Sequence, residues 1–455
     1  MNGRKAKANR SIATTLPLAL PDVSMRRSVD ERRAERRARL PRGAPLLAAA
    51  LLLAAVVAVP LSLSRPAATP PPDRAVVRAV AVGSYPSAMA VDTRTRRVFV
   101  VDGFSNSSDQ VGVLDADSGA LLRTVTVGAG PQSIAVDARR RRAFVVGEGV
   151  YTSSRGFTGA ALSVLDTRDG RLMRAVRWSG LAVAVDAGTG HVFVTDRGAY
   201  QGLSHGRLAA GRVTMFDQDG HMLRLASVGA YPGGLAVDSS TERVFVAGVG
   251  SRPTANAPGS VSIVDARTGR LVRTVAVGPD PRAVAVDART ERVFVASEGV
   301  SVKAGSVSVL DARDGRIVAT IPLAYPESLA ASPRTGRVFV QTAFGAVVTL
   351  DARTGRIVNT VSVDHAMVAY PALAVDEGRR RVFVPGRLRT TVLDATTGRV
   401  TRTIAVRGEV VAVDGASGHA FVAHADLFDP QPSGLGAIFG RGSSAGHVTT
   451  LDLSR

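Results

Sequence analysis

From about residue 75 onward the chain is written in short apolar runs separated by turn residues, and the runs recur in groups of four. The stretch VGPDPRAVAVDARTERVFVASEGVSVKAGSVSVLDARDGRIVATIPL, residues 277–323, shows the plan in AVAVD, RVFVAS, SVSVLD and IVATIPL. β-Branched residues dominate the runs, Gly falls between them and no helical period appears, so each unit predicts a four-stranded antiparallel meander. An Asp closes the first run at Asp92, Asp137, Asp186, Asp238, Asp287, Asp376 and Asp414, with Ser332 in the remaining place, at spacings of 45, 49, 52, 49, 45, 44 and 38 residues. A second Asp recurs in step at Asp115, Asp166, Asp217, Asp265, Asp311, Asp351, Asp394 and Asp452, which counts eight units.

Four strands repeated at about 45 residues predict an all-β fold, a β-propeller of eight four-stranded blades. Ala90, Ala135, Ala184, Ala236, Ala285, Ala374 and Ala412 suit a crowded innermost strand, and Phe99, Phe144, Phe193, Phe245, Phe294, Phe339, Phe383 and Phe421 are expected between blades. RAVVRAVAVG, residues 74–83, matches the fourth strand GRLVRTVAVG of residues 269–278, yet it precedes any complete unit, while the last unit stops at VTTLDLSR after its third strand. Val76 to Val82 is therefore expected beside His447 to Leu453, so that the N-terminal strand closes the C-terminal blade.

The units resemble the YVTN-type β-propeller repeat: VFVV, VFVA or VFVT stands in the YVTN slot, and VxVLDxxTGxxxxTVxVG completes the pattern over roughly residues 74–455. The resemblance implies the fold and little about function, because one fold hosts many functions. Seven blades is that family's usual count, and it remains the alternative to eight.

Charge and hydropathy add a second region. The net charge of +19 is uneven: residues 1–43 hold twelve Lys or Arg against four Asp or Glu. This basic segment, read as cytoplasmic and disordered, leads into residues 44–64, APLLAAALLLAAVVAVPLSLS, which carry no charge and have the length of a bilayer span. The positive flank orients that span as a transmembrane helix with its N-terminus in the cytoplasm, a signal-anchor in preference to a cleaved signal peptide. The Pro-rich linker 65–74 would then hold the propeller, 75–455, outside the cytoplasm and within roughly 30 Å of the bilayer at about 3 Å per residue. No cysteine occurs, so disulfides and thiolate chemistry are excluded.

The repeated acids read as scaffold, since an Asp at a strand end accepts N–H groups of its own turn, and Ser332 can do the same. DARTG, DARDG, DTRDG and DATTG read as hairpin turns, and their Arg residues as solvated charges on one face. His191, His221 and His419 are expected to be structural. No GxSxG, HExxH or phosphate loop is present.

The turns after first and third strands fall on one face, so the irregular second-to-third loops and the blade links share the other. Candidate ligand or partner residues there are Tyr151, Arg155, Tyr200, His205, Tyr231, Arg252, Tyr325, His365, Tyr370 and His424. No catalytic residue, metal site or cofactor is assigned. The reading is a membrane-tethered envelope module that binds a protein or small ligand through its irregular loops. The alternatives are a lactonase-like or quinone- or metal-dependent dehydrogenase-like propeller, which rests on analogy of architecture, and a DNA-binding propeller, which the extracytoplasmic topology disfavours.

Overall fold

A computed structural model of the chain describes residues 75–103, 109–152, 156–197, 210–249, 257–299, 305–364, 373–425 and 446–452. The chain divides into two units, Met1–Thr69 and Pro70–Arg455, and every described residue belongs to the second. The expected anchor 44–64 and linker 65–74 lie outside the described residues, among which no helix is long and apolar enough to cross a membrane.

The described strands form eight four-stranded antiparallel sheets and one short hairpin, Val150–Thr152 with Gly156–Thr158. Blade 1 runs Pro86–Asp92, Arg97–Asp102, Gln110–Asp115 and Leu121–Thr126, and blades 2 to 7 repeat that order. Blade 8 takes its first three strands from Val410–Asp414, His419–Ala425 and Gly446–Asp452, and its fourth from Val76–Gly83. The register of that closing pair sets Val76 opposite Leu451, Val80 opposite Val448 and Ala81 opposite His447. Each blade's first strand touches the first strand of the next, and that of blade 8 touches that of blade 1, so the first strands are the inner wall of a closed ring.

The core is divided into eight apolar clusters, one between each pair of neighbouring blades. In each, the Phe of one blade's second strand meets Val residues of the next blade, joined in most by Leu and Ala and between blades 2 and 3 by Phe216. Phe245, for example, packs with Val293, Val295, Leu310 and Ala312. All eight of these Phe are essentially inaccessible, and burying each contributes about 1.5–3 kcal/mol before ordering costs. A blade alone exposes both of these faces, which is why closure into a ring is what satisfies the pattern.

One face carries the tight turns, and there the landmark acids behave as expected. Asp92, Asp137, Asp238 and Asp287 are buried and accept turn N–H groups through Oδ1, as from Arg94 at 2.9 Å in blade 1 and Arg289 at 3.0 Å in blade 5. Ser332 fills the slot by bonding Thr335 Oγ1 at 2.8 Å. His191 and His419 set Nδ1 2.9 Å from the carbonyl oxygens of Ala266 and Ala116 in the next blade.

The hairpin Arg residues Arg168, Arg267 and Arg313 are exposed and pair with acids of their own blade, whereas Arg residues in the turns between first and second strands include straps between blades. Arg96 donates to Asp414 Oδ2 at 2.6 Å, Arg140 to the Ala187 carbonyl at 3.2 Å, and Arg379 to the Gly415 carbonyl at 3.0 Å. On the outer strands Arg123 and Arg273 donate to the Asp169 and Asp314 carbonyls of the next blade's hairpin. A guanidinium offers several donors on a long stem, which lets one side chain bridge turns whose backbones do not touch.

Candidate rim of the axial opening

The opposite face, where the innermost strands begin, carries the irregular loops. Two strand positions point chemistry toward its rim. Five residues before the landmark lie Ser87, Gln132, Leu181, Gly233, Arg282, Glu327 and Glu409, and eleven after it lie Glu148, Arg197 and Glu298.

These positions join across blades into three polar clusters. In the first, Arg197 of blade 3 places Nε 3.0 Å from Oε1 of the buried Glu148 of blade 2 and lies 5.2 Å over the ring of Tyr231 of blade 4. Burial pushes the Glu148 carboxyl up, while Arg197 and a hydrogen bond with Gln132 work against the shift.

In the second cluster Arg282 of blade 5 binds Asp280 at 2.8 Å and Glu298 at 3.0 Å. Glu327 of blade 6 faces this group, and burial, then the charge of Glu298, lift its carboxyl to about 7 against the pull of Arg282. Beside it, Tyr325 and Phe344 meet edge to face at 5.2 Å, and Phe344 is 68% exposed.

The third cluster lies at the closing blade. Burial raises the Glu409 carboxyl, and burial with the charge of Glu409 raises the Tyr85 hydroxyl. Asp102 accepts the Ser84 and Tyr85 N–H groups at 3.1 and 2.7 Å. His424 and His447, paired across adjacent strands, stack at 5.7 Å.

The backbone at this rim is strained at two aromatic residues. Tyr231 and Tyr325 have φ of 45° and 44°, in the left-handed region that costs a bulky residue on the order of 1 kcal/mol or more, while blade 2 has Gly130 in the same place. Asp280 of blade 5 has φ of 51° at the same position, so three blades hold a side chain where glycine would be relaxed.

Of the ten residues expected at the site, the structure puts Tyr231, Tyr325 and His424 on this rim, each in a different cluster. Arg155, Tyr200, His205, Arg252, His365, Tyr370 and the side chain of Tyr151 lie outside the described residues. Glu148, Arg197, Glu298, Glu327 and Glu409 were not among the expected residues, because aromatic, His and Arg side chains of the loops and links stood out there and a single Glu reads as a solvated charge. Lining up the eight units on the landmark Asp exposes them. Among the described residues no three His, Asp or Glu side chains converge as a metal site would require. The rim offers instead carboxylates beside aromatic faces, an arrangement that attracts cationic groups.

A family profile described as outer membrane protein assembly factor BamB matches residues 303–452. Among solved structures, hydrazine synthase from Kuenenia stuttgartiensis is 13% identical, aligned over 69% of this chain and 96% of that one with a TM-score of 0.53. BamB from Moraxella catarrhalis is 14% identical over 83% of this chain and 99% of its own, with a TM-score of 0.50. No curated protein matches. At such identities the likeness is one of fold, and with the eight closed blades it makes this chain a β-propeller repeat protein.

Proposed function

We propose that the propeller, with its YVTN-type repeats, is an extracytoplasmic module of the cell envelope, tethered by residues 44–64, that binds a protein partner through the loop-side rim. The observation that carries this reading is the cluster of Glu298, Glu327, Tyr325 and exposed Phe344 on a rigid, closed scaffold. Its excess of carboxylate and its aromatic edge suit a segment presenting a Lys or Arg side chain. The match to a BamB profile agrees with a protein-binding role in the envelope.

Site-specific photocrosslinking in native membranes tests the reading. A photoreactive group replacing Phe344 is expected to capture one discrete envelope protein, and the same group replacing Arg353 on the opposite face is not. Equal capture from both positions, or none from Phe344, would count against it.

A further inference from the structure

Exposed large apolar side chains fall in two places among the described residues. Most lie on the fourth strands at the outer edge of the blades, where exposures run from 37% to 56%. The two most exposed, Phe344 at 68% and Leu388 at 67%, lie instead on the loop side, at the connections between second and third strands of blades 6 and 7. These connections, residues 343–345 and 385–389, are the shortest of the eight.

The two tips are held relative to each other by backbone bonds. The Ala343 N–H donates to the Tyr325 carbonyl at 3.0 Å, and Val363, which follows the fourth strand of blade 6, donates to the Gly345 carbonyl at 2.8 Å. The next residue, Asp364, reaches blade 7, where its Oδ2 accepts the N–H groups of Leu388 and of Arg389, the latter at 3.0 Å. A Cβ on Gly386 would lie 2.4 Å from the Asp364 carbonyl oxygen, so only glycine lets this hairpin come so close. Consecutive residues thus bond both hairpins, and Phe344 and Leu388 stand at fixed positions on one surface. Little ordering remains for binding to supply.

The charge on the two sides of this apolar pair has opposite sign. Beside Tyr325 and Phe344, Asp280, Glu298 and Glu327 share the guanidinium of Arg282. On the other side Arg387 and Arg389 flank Leu388, and both are exposed. Among the described residues neither guanidinium pairs with a carboxylate, and the Asp364 carboxylate is engaged by backbone N–H groups. Further round the ring Arg407 lies near Glu409 and offsets it. The order across blades 5 to 7 is therefore acid, aromatic, aliphatic, base.

We propose that this sector binds an extended segment of the envelope partner that presents a Lys or Arg, then apolar side chains, then an Asp or Glu. The inference rests on the protein-binding reading above and adds the second charge and the direction of the segment. A segment with the cation alone would leave Arg387 and Arg389 unanswered, and the reverse order would set like charges together at both ends. The apolar tips lose water on contact, while the charges fix direction more than strength. Packed sheets lie about 10 Å apart, so blades 5 to 7 are crossed by about seven to ten extended residues at about 3.3 Å each.

In the test, photoreactive groups replace Phe344 and Leu388 singly in the full chain, in native membranes, and the crosslinked peptides are sequenced by mass spectrometry. Both positions are expected to capture the same protein, at sites within about ten residues of each other. A Lys or Arg is expected on the Phe344 side of that stretch and an Asp or Glu on the Leu388 side. Arg387→Gln/Arg389→Gln should lower capture from Phe344 roughly three- to tenfold, while Arg353→Gln/Arg356→Gln on the opposite face leaves it unchanged. All four are exposed hairpin residues, so neither variant removes a packed side chain. Capture from Phe344 with none from Leu388, or with a different protein there, overturns this inference and leaves the protein-binding reading standing. So does a captured stretch without an acid, capture at Leu388 of a second copy of this chain or of lipid alone, or equal capture by the Arg387/Arg389 variant and the parent. No capture from Phe344 overturns both.

Discussion

Glu327 holds its proton to about 7, because burial and the Glu298 charge both disfavour its carboxylate. An unfolded Glu ionises near 4.5. Between these two values the folded state therefore binds more protons than the unfolded one, and this group's contribution to stability is lost as pH rises through that window. Glu327→Gln keeps the neutral shape without the titration. The variant should match the parent near pH 4 and exceed it near pH 8 by about 1 kcal/mol, a figure reduced for water screening of a partly exposed group. Chemical denaturation at the two pH values measures it, and an unchanged difference between them would remove Glu327 as the source. Tyr325, two residues earlier, was visible from sequence as an aromatic in a blade link. Glu327 was not, because its character comes from Glu298 and Arg282 in the neighbouring blade, and a repeat pattern states what blades share rather than what one blade brings to the next.

At the scale of the strand the sequence was more informative. The alternation in RVFV, repeated with a Phe in every unit, is a statement about which side of a blade meets its neighbour, and each Phe does occupy an interblade cluster. Phe294→Ala should cost about 3–5 kcal/mol, since the blades around it are held in a ring and collapse only partly into the cavity. Phe344→Ala, on the exposed rim, should stay within about 0.5 kcal/mol. Thermal unfolding of both variants checks the contrast. The straps between blades were less legible. Arg96 and Asp414 are 318 residues apart in sequence and 2.6 Å apart in the ring, and a run of Arg on polar turns does not announce which of them reach across. The carboxylates of the outer hairpins are similar. At Asp265 burial works to raise the carboxyl, yet hydrogen bonds from Thr268 and the charge of Arg243 hold it below its ordinary value.

For the molecule as a whole, blade count and closure followed from seven recurring Asp pairs, the Ser332 and Asp351 pair and one displaced strand. The register of that strand then puts Val82, buried, among Val98, Val100 and Val448 of the junction between blades 8 and 1. Val82→Asp should break this junction first. Hydrogen exchange is expected to show Val76–Gly83 and Gly446–Asp452 losing protection while blades 3 to 5 keep theirs, and uniform loss across the ring would show that closure is not a separable step. What the whole-molecule pattern did not reveal is that Ala75, just before the closing strand, packs with Val392 and Leu451 between blades 7 and 8, because a repeat states what the units share and this contact belongs to the closure alone.

The pairing of Val80 with Val448 also sets an order in time. Val76–Gly83 must wait for Gly446–Asp452, and until the latter has been synthesised the growing chain is an open arc with an unpaired edge and an uncovered apolar side on blade 1. Adding blades does not shorten this wait, since each lengthens the loop that closure must span. Sealing the circle thus waits for the third strand of blade 8, so a chain halted before Gly446–Asp452 remains recognisably incomplete to any protease or chaperone that reads open β edges.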